Sequence, residues 1–470
     1  MSIDRREFLA AAGAAGVFPT ELLAQGDAVL RPEDFGARGD GAANDTAAFA
    51  RLSAEVNRRG GGTIALGARR TYVVGSQTRG GSGLAWSPDP ILELQGLSSP
   101  LTILGNGARL RAQPGLRFGT FEPETDRPIE KPMPNYDYSS VAGAYRAMIS
   151  VSKSRAPVAI RNLELDGNVA KLRLGGPFGD TGWQVPATGL LLTDNHAAEL
   201  VENVFSHHHG QDGGIIIGDD NRSARSRFSR YVARFNGRQG LSITGGRAYD
   251  FVDCEFSHTG RSAIRSAPGA GVDIEAEGAK IIRDLSFTRC RFVDNHGCGL
   301  VADSGDSEGA RFTDCTFIGT SLWSAWPRKP RFSFTGCTFV GSVVHAFADP
   351  SPARAARFTH CRFTDDPKLS PTGKVYASGP IVNLGESDHV LFDGCTVDCI
   401  AGGVLPWSST AIYRDCTMRQ HSRTTAYPRG RYLGRTRIDA PVNLYGSMIQ
   451  GVVIVNGREL KRGPIDVDPW

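Results

Sequence analysis

The sequence lacks the features that would place it in several common classes of protein. No apolar run reaches the roughly 20 residues that a membrane helix needs, so an integral membrane protein is not expected. Its formal net charge is only +4 over 470 residues, and no dense Lys/Arg block with interleaved aromatic residues occurs, so a nucleic-acid partner is not expected. The nine cysteines contain no CxxC pair, which argues against a structural metal site.

The N-terminus predicts an export signal. Arg5 and Arg6 form a twin arginine, a weakly apolar Ala/Gly stretch follows through Phe18, and small Ala24 fits a cleavage point. This pattern is typical of a Tat signal over residues 1–24, and it predicts a periplasmic or secreted protein. The Tat route carries folded proteins, so the chain is expected to fold in the reducing cytosol.

A short unit containing cysteine recurs along the chain. It consists of an aromatic residue, two others, Cys, one other residue and usually Phe. Successive cysteines are 36, 25, 22, 24, 34 and 21 residues apart, and such spacing indicates stacked repeats. The seven units are Phe251–Phe256, Phe287–Phe292, Phe312–Phe317, Phe334–Phe339, Phe358–Phe363, Phe392–Val397 and Tyr413–Met418.

These units predict an all-β solenoid, the right-handed parallel β-helix. Cys and Phe two residues apart lie on one face of a strand, and the Gly/Asn/Asp-rich joints between units cannot sustain helices. Seven cysteines would then form a ladder in the interior, as small apolar side chains. Disulfides are the alternative, but free thiols suit cytosolic folding better. We expect the β-helix over residues 25–420, and extra strands or a C-terminal cap over 421–470.

The N-terminal region resembles a known family. Segments Asp34–Gly41, Asn44–Phe49 and Gly60–Ile64, followed by Thr71 and Tyr72, resemble the N-terminal signature of pectate-lyase-superfamily β-helices. An amphipathic helix with Phe49, Leu52 and Val56 on one face, capped by Asn44 or Asp45, would cover the open end of the solenoid. The resemblance implies a polysaccharide lyase, glycoside hydrolase, epimerase or tailspike.

The resemblance does not extend to a catalytic motif. Polygalacturonase-type hydrolases carry four ordered elements, of which only Asp219 and Asp220 are present here. The aspartate-histidine signature and the arginine motif of pectate lyases are also absent. Neither mechanism can be carried over residue by residue, because the fold alone does not fix a function.

Four strands that begin with glycine predict a polar outer wall. They start at Gly214, Gly240, Gly271 and Gly299, and the first and third residues after each glycine are apolar. The second and fourth residues should therefore face outwards. They are Ile216 and Gly218, Ser242 and Thr244, Asp273 and Glu275, and Val301 and Asp303.

Three carboxylates are expected to lie together on this wall. Asp273, Glu275 and Asp303 would be separated by about one strand spacing or one two-residue step. Three such carboxylates cannot all ionise cheaply without a cation, an arginine or a raised pKa. This arrangement suits acid/base catalysis, or a Ca²⁺ ion bound by the three residues. The alternative is an ordinary solvated strand face.

Other candidates lie beside the wall. Arg238 and His209 are proposed as catalytic residues, and Asp212 and His296 as substrate-binding residues, because they directly precede the wall strands. Two Gly/Pro-rich insertions, residues 113–146 and 171–188, interrupt the early coils and could form binding loops. Tryptophans that could stack on sugar rings are Trp183, Trp323 and Trp326.

The composition of the site favours a reaction on an acidic polysaccharide. The slightly basic chain and the Arg and His residues beside the acids favour a lyase that acts by β-elimination on a uronate. The alternative is a polygalacturonase-like hydrolase, for which the carboxylates could supply the two-carboxylate mechanism. A non-catalytic carbohydrate-binding β-helix is the third alternative, and it predicts no burial or pKa shift at the carboxylates. The sequence leaves monomer and homo-oligomer open.

Overall fold

The computed structural model describes residues 29–80, 83–129, 138–176, 185–347, 349–377, 379–384 and 389–466. The predicted export signal and Trp183 lie outside these residues, so both stay predictions. No helix in the described ranges is long and apolar enough to cross a bilayer.

Strands dominate the described residues. The α-helix, α1, is Thr46–Arg59, and short 3-10 helices are Pro32–Phe35, Tyr138–Ser140, Val169–Lys171 and Pro367–Leu369. Numbered β1 to β42 in chain order, the strands are Asp40–Asn44, Gly62–Ala65, Thr71–Val74, Gln77–Arg79, Trp86–Pro88, Leu92–Gln95, Leu101–Ala112, Arg117–Thr120, Val141–Ala142, Ala147–Ser152, Val158–Asp166, Arg173–Leu174, Thr188–Thr193, Glu199–His207, Asp212–Ile217, Ser226–Arg234, Gln239–Val252, Glu255–Ser257, Ala270–Ile274, Ile281–Thr288, Arg291–Asn295, Leu300–Ala302, Asp306–Glu308, Arg311–Thr313, Thr316–Gly319, Ala325–Pro327, Ser333–Thr335, Thr338–Val340, Val343–Val344, Arg357–Thr359, Arg362–Thr364, Val382–Asn383, Leu391–Asp393, Thr396–Cys399, Ser408–Arg414, Thr417–Gln420, Pro428–Leu433, Arg435–Asp439, Met448–Ile449, Val452–Val455, Arg458–Glu459 and Gly463–Pro464.

The strands wind into a right-handed parallel β-helix, as the repeats predict. Equivalent residues of successive coils pair in register, so that Phe251 pairs with Phe287, and Phe287 with Phe312. Their rings stack in the interior with centroids 4.5 and 4.8 Å apart. This stack continues through five further aromatic rings to Tyr432. The apolar core is therefore a column that runs along the solenoid.

Every repeat contains a residue with positive φ that bends the chain at one recurring position. It directly precedes the cysteine, as Asp253 (φ 55°), Asp314 (φ 53°) and Gly394 (φ 62°) show. Asp, Asn and Gly tolerate this left-handed conformation better than other residues. The cysteine then donates its thiol hydrogen to a carbonyl of the preceding coil, with Sγ of Cys290 3.4 Å from the Phe251 oxygen. All nine cysteines are free and buried, in agreement with the predicted interior ladder.

Helix α1 covers the first coil. Phe49, Leu52 and Val56 are fully buried on one face, as predicted. On the same helix, Asn57 donates to the Glu93 carbonyl and accepts from the Gln95 amide, at 3.0 and 2.9 Å. These bonds occupy backbone groups of the open edge strand β6, which would otherwise lack partners. The Asp45 side chain instead accepts from the amides of residues 38 and 39.

The coils continue beyond the predicted boundary at residue 420. Strand β36 pairs in parallel with β38, and β38 pairs with β40 up to Val455. The final pairings are antiparallel, β40 with β41 and β39 with β42. The C-terminal segment thus adds coils and closes them with short antiparallel strands.

Five strands of the early coils form a separate side sheet, and the two insertions contribute β8, β9 and β12 to it. Its strand order is β12-β8-β9-β5-β4. Asp126 links two of its segments by ion pairs with Arg117 and Arg173, both at 2.5 Å. A Cβ on Gly210 would lie 2.7 Å from the Phe118 ring. The side sheet therefore packs closely beside the corner that leads into β15.

Replacing one stacked ring should weaken the solenoid sharply. Phe334 is fully buried between the rings of Phe312 and Phe358, at 4.8 and 5.0 Å. We expect Phe334→Ala to cost about 3–5 kcal/mol, because it removes apolar contacts and leaves a cavity. Chemical denaturation followed by circular dichroism measures this loss. The control is Thr335→Ala, an exposed position on the same strand, and equal midpoints for the two variants would contradict the expectation.

Candidate active site

A column of glycines sets the start of each strand in the candidate wall. A Cβ on any of them would lie 2.4–2.7 Å from a carbonyl oxygen of the next coil. Any larger side chain would push neighbouring coils apart at this corner. The column consists of Gly189, Gly213, Gly240, Gly271 and Gly299.

The predicted alignment of the first strand is wrong by one residue. Gly214 pairs with Leu241, and Ile215 pairs with Ser242. Ile216 is therefore an interior residue, only 1% exposed, whereas it was expected on the outer face. Two adjacent glycines followed by three isoleucines satisfy either register, so the sequence pattern could not decide between them.

The other three strands have the predicted register. Leu241 pairs with Val272, and Val272 with Leu300, all in the core. The outward position one residue later is occupied by Ser242, Asp273 and Val301 in adjacent coils. We call this row of outward side chains the wall column.

Asp273 is the central group of the site. It is 5% exposed, and its Oδ2 accepts a hydrogen bond of 2.7 Å from the Gln239 side chain. Its Oδ1 is buried and has no hydrogen-bond partner. Burial and then the charge of Glu275 raise the pKa of Asp273 to about 8, an effect that Arg238 partly offsets. The carboxyl group is therefore mostly protonated at neutral pH.

Asp212 shows similar features two coils earlier. It is fully buried, and its Oδ2 accepts from the Ser242 hydroxyl at 2.7 Å and from Arg238 Nη1 at 3.0 Å. Burial raises the pKa of Asp212, against the opposing charge of Arg238. Its Oδ1 is also buried without a partner. Asp212 and Arg238 therefore lie in the same network as Asp273.

Glu275 and Asp303 complete the carboxylate group. The Ser304 hydroxyl donates to Glu275 Oε1, and the charges of both Glu275 and Asp303 raise the pKa of Asp273. Lys329 closes the C-terminal side, where its Nζ donates to the Gly305 carbonyl at 2.7 Å. Burial lowers the pKa of Lys329, while Asp303 opposes the shift. We call Asp212, Arg238, Asp273, Glu275, Asp303 and Lys329 the carboxylate site.

The structure does not gather three ligands for calcium at this site. Within the described residues, the one group of three metal-ligating side chains whose ligand atoms all lie within 4.8 Å is Glu164, Asp166 and His207. Arg109 already contacts that group, with Nη2 2.7 Å from Glu164 Oε1. A bound Ca²⁺ ion at Asp273, Glu275 and Asp303 therefore stays a prediction.

The two predicted histidines lie in different environments. His209 is fully buried, with Nδ1 2.9 Å from the Tyr145 hydroxyl and Nε2 3.2 Å from the Leu165 carbonyl. Burial holds the pKa of His209 well below its usual value. His296 lies at a corner of the next coils, where its pKa is lowered by burial and by Arg265 and Arg261. Full burial leaves His209 no surface for contact with a substrate, whereas His296 is partly exposed and its substrate-binding role stays a prediction.

Two of the predicted tryptophans lie next to the site. Trp326 follows Val301 in the wall column, and Trp323 packs edge-on against it with centroids 5.3 Å apart. Both are partly exposed. Asp273 and Trp326 are two strand spacings apart, roughly 10 Å. The Trp326 ring is therefore about one or two sugar lengths from the Asp273 carboxyl group.

The sequence analysis did not identify Gln239 or Lys329. It also did not identify Ser242 as the hydrogen-bond donor to Asp212. Gln239 could have been found, because it directly precedes Gly240 as Asp212 precedes Gly213. Lys329 follows strand β26, two coils after the strand of Asp273, and no sequence motif marks it. Its approach to Asp303 depends on how the segment after β26 folds back.

Comparisons with known proteins agree with the fold. Residues 148–344 match a family described as the right-handed beta helix region. The N-terminal fragment of bacteriophage Phi29 gene product 12 is similar in structure, with 13% identity, a TM-score of 0.53, and 93% of this chain and 73% of that chain covered. The A-module of Azotobacter vinelandii mannuronan C-5 epimerase AlgE4 has 14% identity, a TM-score of 0.48, and 89% and 99% coverage. No curated protein sequence matches the chain.

The buried acid should make folding stability depend on pH. The pKa of Asp273 is raised from 3.8 to about 8 in the folded chain, so the folded state retains a proton that the unfolded state loses. Stability should fall as the pH rises from about 4 to about 8, by up to about 5 kcal/mol. Asp273→Asn should remove much of this fall, as denaturant midpoints measured across this range would show.

A matched control separates this effect from general charge effects. Asp306→Asn removes a carboxylate that is 64% exposed on a nearby strand. That variant should keep the pH dependence of the unmodified chain. If Asp273→Asn and the unmodified chain lose stability in parallel, Asp273 is not the group that retains the proton.

Proposed function

We propose that this chain is an enzyme that cleaves a uronate-containing polysaccharide by β-elimination at the carboxylate site. The observation that carries the proposal is Asp273, a buried carboxyl group with an unpartnered Oδ1 whose pKa is raised by burial and by Glu275 and lowered in part by Arg238. Perturbed titratable groups of this kind concentrate at active sites. The resemblance of the N-terminal segment to pectate-lyase-superfamily β-helices supports a polysaccharide as the substrate.

The residues can be given roles in the elimination. A base removes the proton α to the uronate carboxylate, a double bond forms between that carbon and its neighbour, and the bond to the 4-linked oxygen breaks. Glu275 is the candidate base, and Asp273 donates its proton to the departing oxygen. Arg238 and Lys329 would neutralise the charge that develops on the substrate carboxylate.

Hydrolysis is the second candidate, because the same site contains two kinds of carboxyl group. A neutral Asp273 can act as the general acid of a glycosidase, with Glu275 or Asp303 as the base or nucleophile. Water would then add across the glycosidic bond and lose a proton to the base, and no proton would leave a ring carbon. A purely binding β-helix is less well supported, since it predicts an unperturbed, solvated wall.

Product analysis distinguishes these reactions. We expect incubation with acidic plant and bacterial polysaccharides to raise the ultraviolet absorbance of an unsaturated uronate product. New reducing ends without this absorbance would establish hydrolysis and overturn elimination. Binding with neither signal would overturn both catalytic readings.

Removing the candidate base should abolish turnover and leave the fold intact. Glu275→Gln conserves size and keeps an acceptor for the Ser304 hydroxyl, so the thermal midpoint should stay close to that of the unmodified chain. We expect kcat to fall by about 10²–10⁴, as for loss of a general base. Glu308→Gln, on a different outer strand, is the control. Turnover of Glu275→Gln at the unmodified rate would remove Glu275 from the mechanism.

A further inference from the structure

The exposed aromatic residues are not scattered over the solenoid. Among the described residues, the exposed aromatic side chains are Trp407, Tyr427 and Tyr445, which are 50%, 41% and 52% exposed. They occur in three successive C-terminal coils. Elsewhere in the described ranges, large aromatic side chains are buried or partly covered.

Strand pairing places two of these rings on the wall column. Trp326 follows Val301, and since Ala325 pairs with Val343, Trp326 is beside Val344. Val344 pairs with Asn383, and Asn383 forms a bridge with Trp407. Because Ser408 pairs with Pro428, Trp407 is beside Tyr427. The column that holds Asp273 thus leads to the exposed rings.

We propose that Trp407 and Tyr427 form a distal sugar-stacking platform, which binds the polysaccharide several residues away from the reacting bond. The identity of the occupant rests on the proposed function of the carboxylate site. Five strand spacings separate Asp273 from Trp407, about 24 Å. A 1,4-linked pyranose is about as long as one spacing, so the span accommodates about five sugars.

The chemistry around the platform suits an anionic sugar chain. The Arg429 guanidinium carbon lies 5.2 Å from the centre of the Tyr427 ring, and its Nη2 donates to Asn443 Oδ1 at 3.2 Å. The Nε of Arg429 is buried without a partner. Aromatic faces bind the apolar C–H face of a pyranose, and an adjacent arginine attracts its carboxylate. Asn383 and Asn443 flank the rings with amide groups, which do not suit a dry protein interface.

The platform would affect long and short substrates differently. A short oligosaccharide at the carboxylate site cannot reach Trp407, whereas a polymer can contact both. Loss of the platform should therefore raise KM for the polymer and leave kcat, and turnover of short fragments, unchanged. This split would not result from a merely structural role.

The test compares retardation in affinity gels that contain polygalacturonate or alginate. We expect Trp407→Ala to weaken binding of the retarding polymer at least about fivefold, and Trp407→Phe to restore much of it by keeping a ring. Met448→Ala is the control, since Met448 is an exposed apolar residue that pairs with Arg431 and with neither platform ring. It should bind like the unmodified chain.

The outcomes separate the platform from the reaction. If Trp407→Ala loses binding while no chain cleaves either polymer, the platform stands and the proposed reaction fails. If the unmodified chain cleaves polymer and Trp407→Ala binds and cleaves it equally well, the platform is overturned and the reaction stands. No retardation of the unmodified chain by either polymer overturns the platform. A change in molecular mass of Trp407→Ala, with unchanged retardation, would assign these rings to contacts between copies instead.

Discussion

The left-handed residue directly before the cysteine of each repeat is the constraint on which this structure depends. It bends the chain between two strands, and the cysteine that follows donates its thiol to a carbonyl of the preceding coil. An unpaired buried carbonyl would cost free energy, so the thiol stabilises the bend as well as filling the core. Because each bend lies above the previous one, insertions in the loops do not shift the strands that follow.

Because the register is fixed, equivalent positions of the outer wall stay aligned from coil to coil. Cysteine spacings vary from 21 to 36 residues along the repeats, yet Ser242, Asp273 and Val301 still lie side by side. The glycine column at the start of the wall strands reinforces this register, because the neighbouring coils approach too closely there for a Cβ. Side chains from separate coils consequently surround Asp273, where the charges of Glu275 and Asp303 help to raise its pKa.

Sequence reasoning predicted the features that depend on local pattern. The Cys-x-Phe unit, the apolar stripe of α1 and the outward positions of Asp273 and Glu275 all follow from periodicities of 2 or 3.6 residues. It failed where two registers fitted equally, at Gly213 and Gly214, and where burial depends on distant coils. His209 contacts Tyr145 and Leu165, 64 and 44 residues away, and no local pattern could have shown that contact. Lys329 and Trp407 likewise reach the wall only through the stacking of coils that differ in length.

The fold can accommodate the free-energy cost of burying Asp273, because the stability of the solenoid is distributed along its axis. In a stacked repeat each coil interacts mainly with its neighbours, so a local penalty is offset by the adjoining coils. Downstream of the site lie the longest runs of stacked phenylalanines and the thiol ladder. Upstream, the side sheet packs against Gly210, two residues from Asp212. The carboxyl groups are thus held between two rigid regions, and a rigid wall cannot relax to solvate Asp273. The same rigidity that makes its burial costly keeps its proton in place for chemistry.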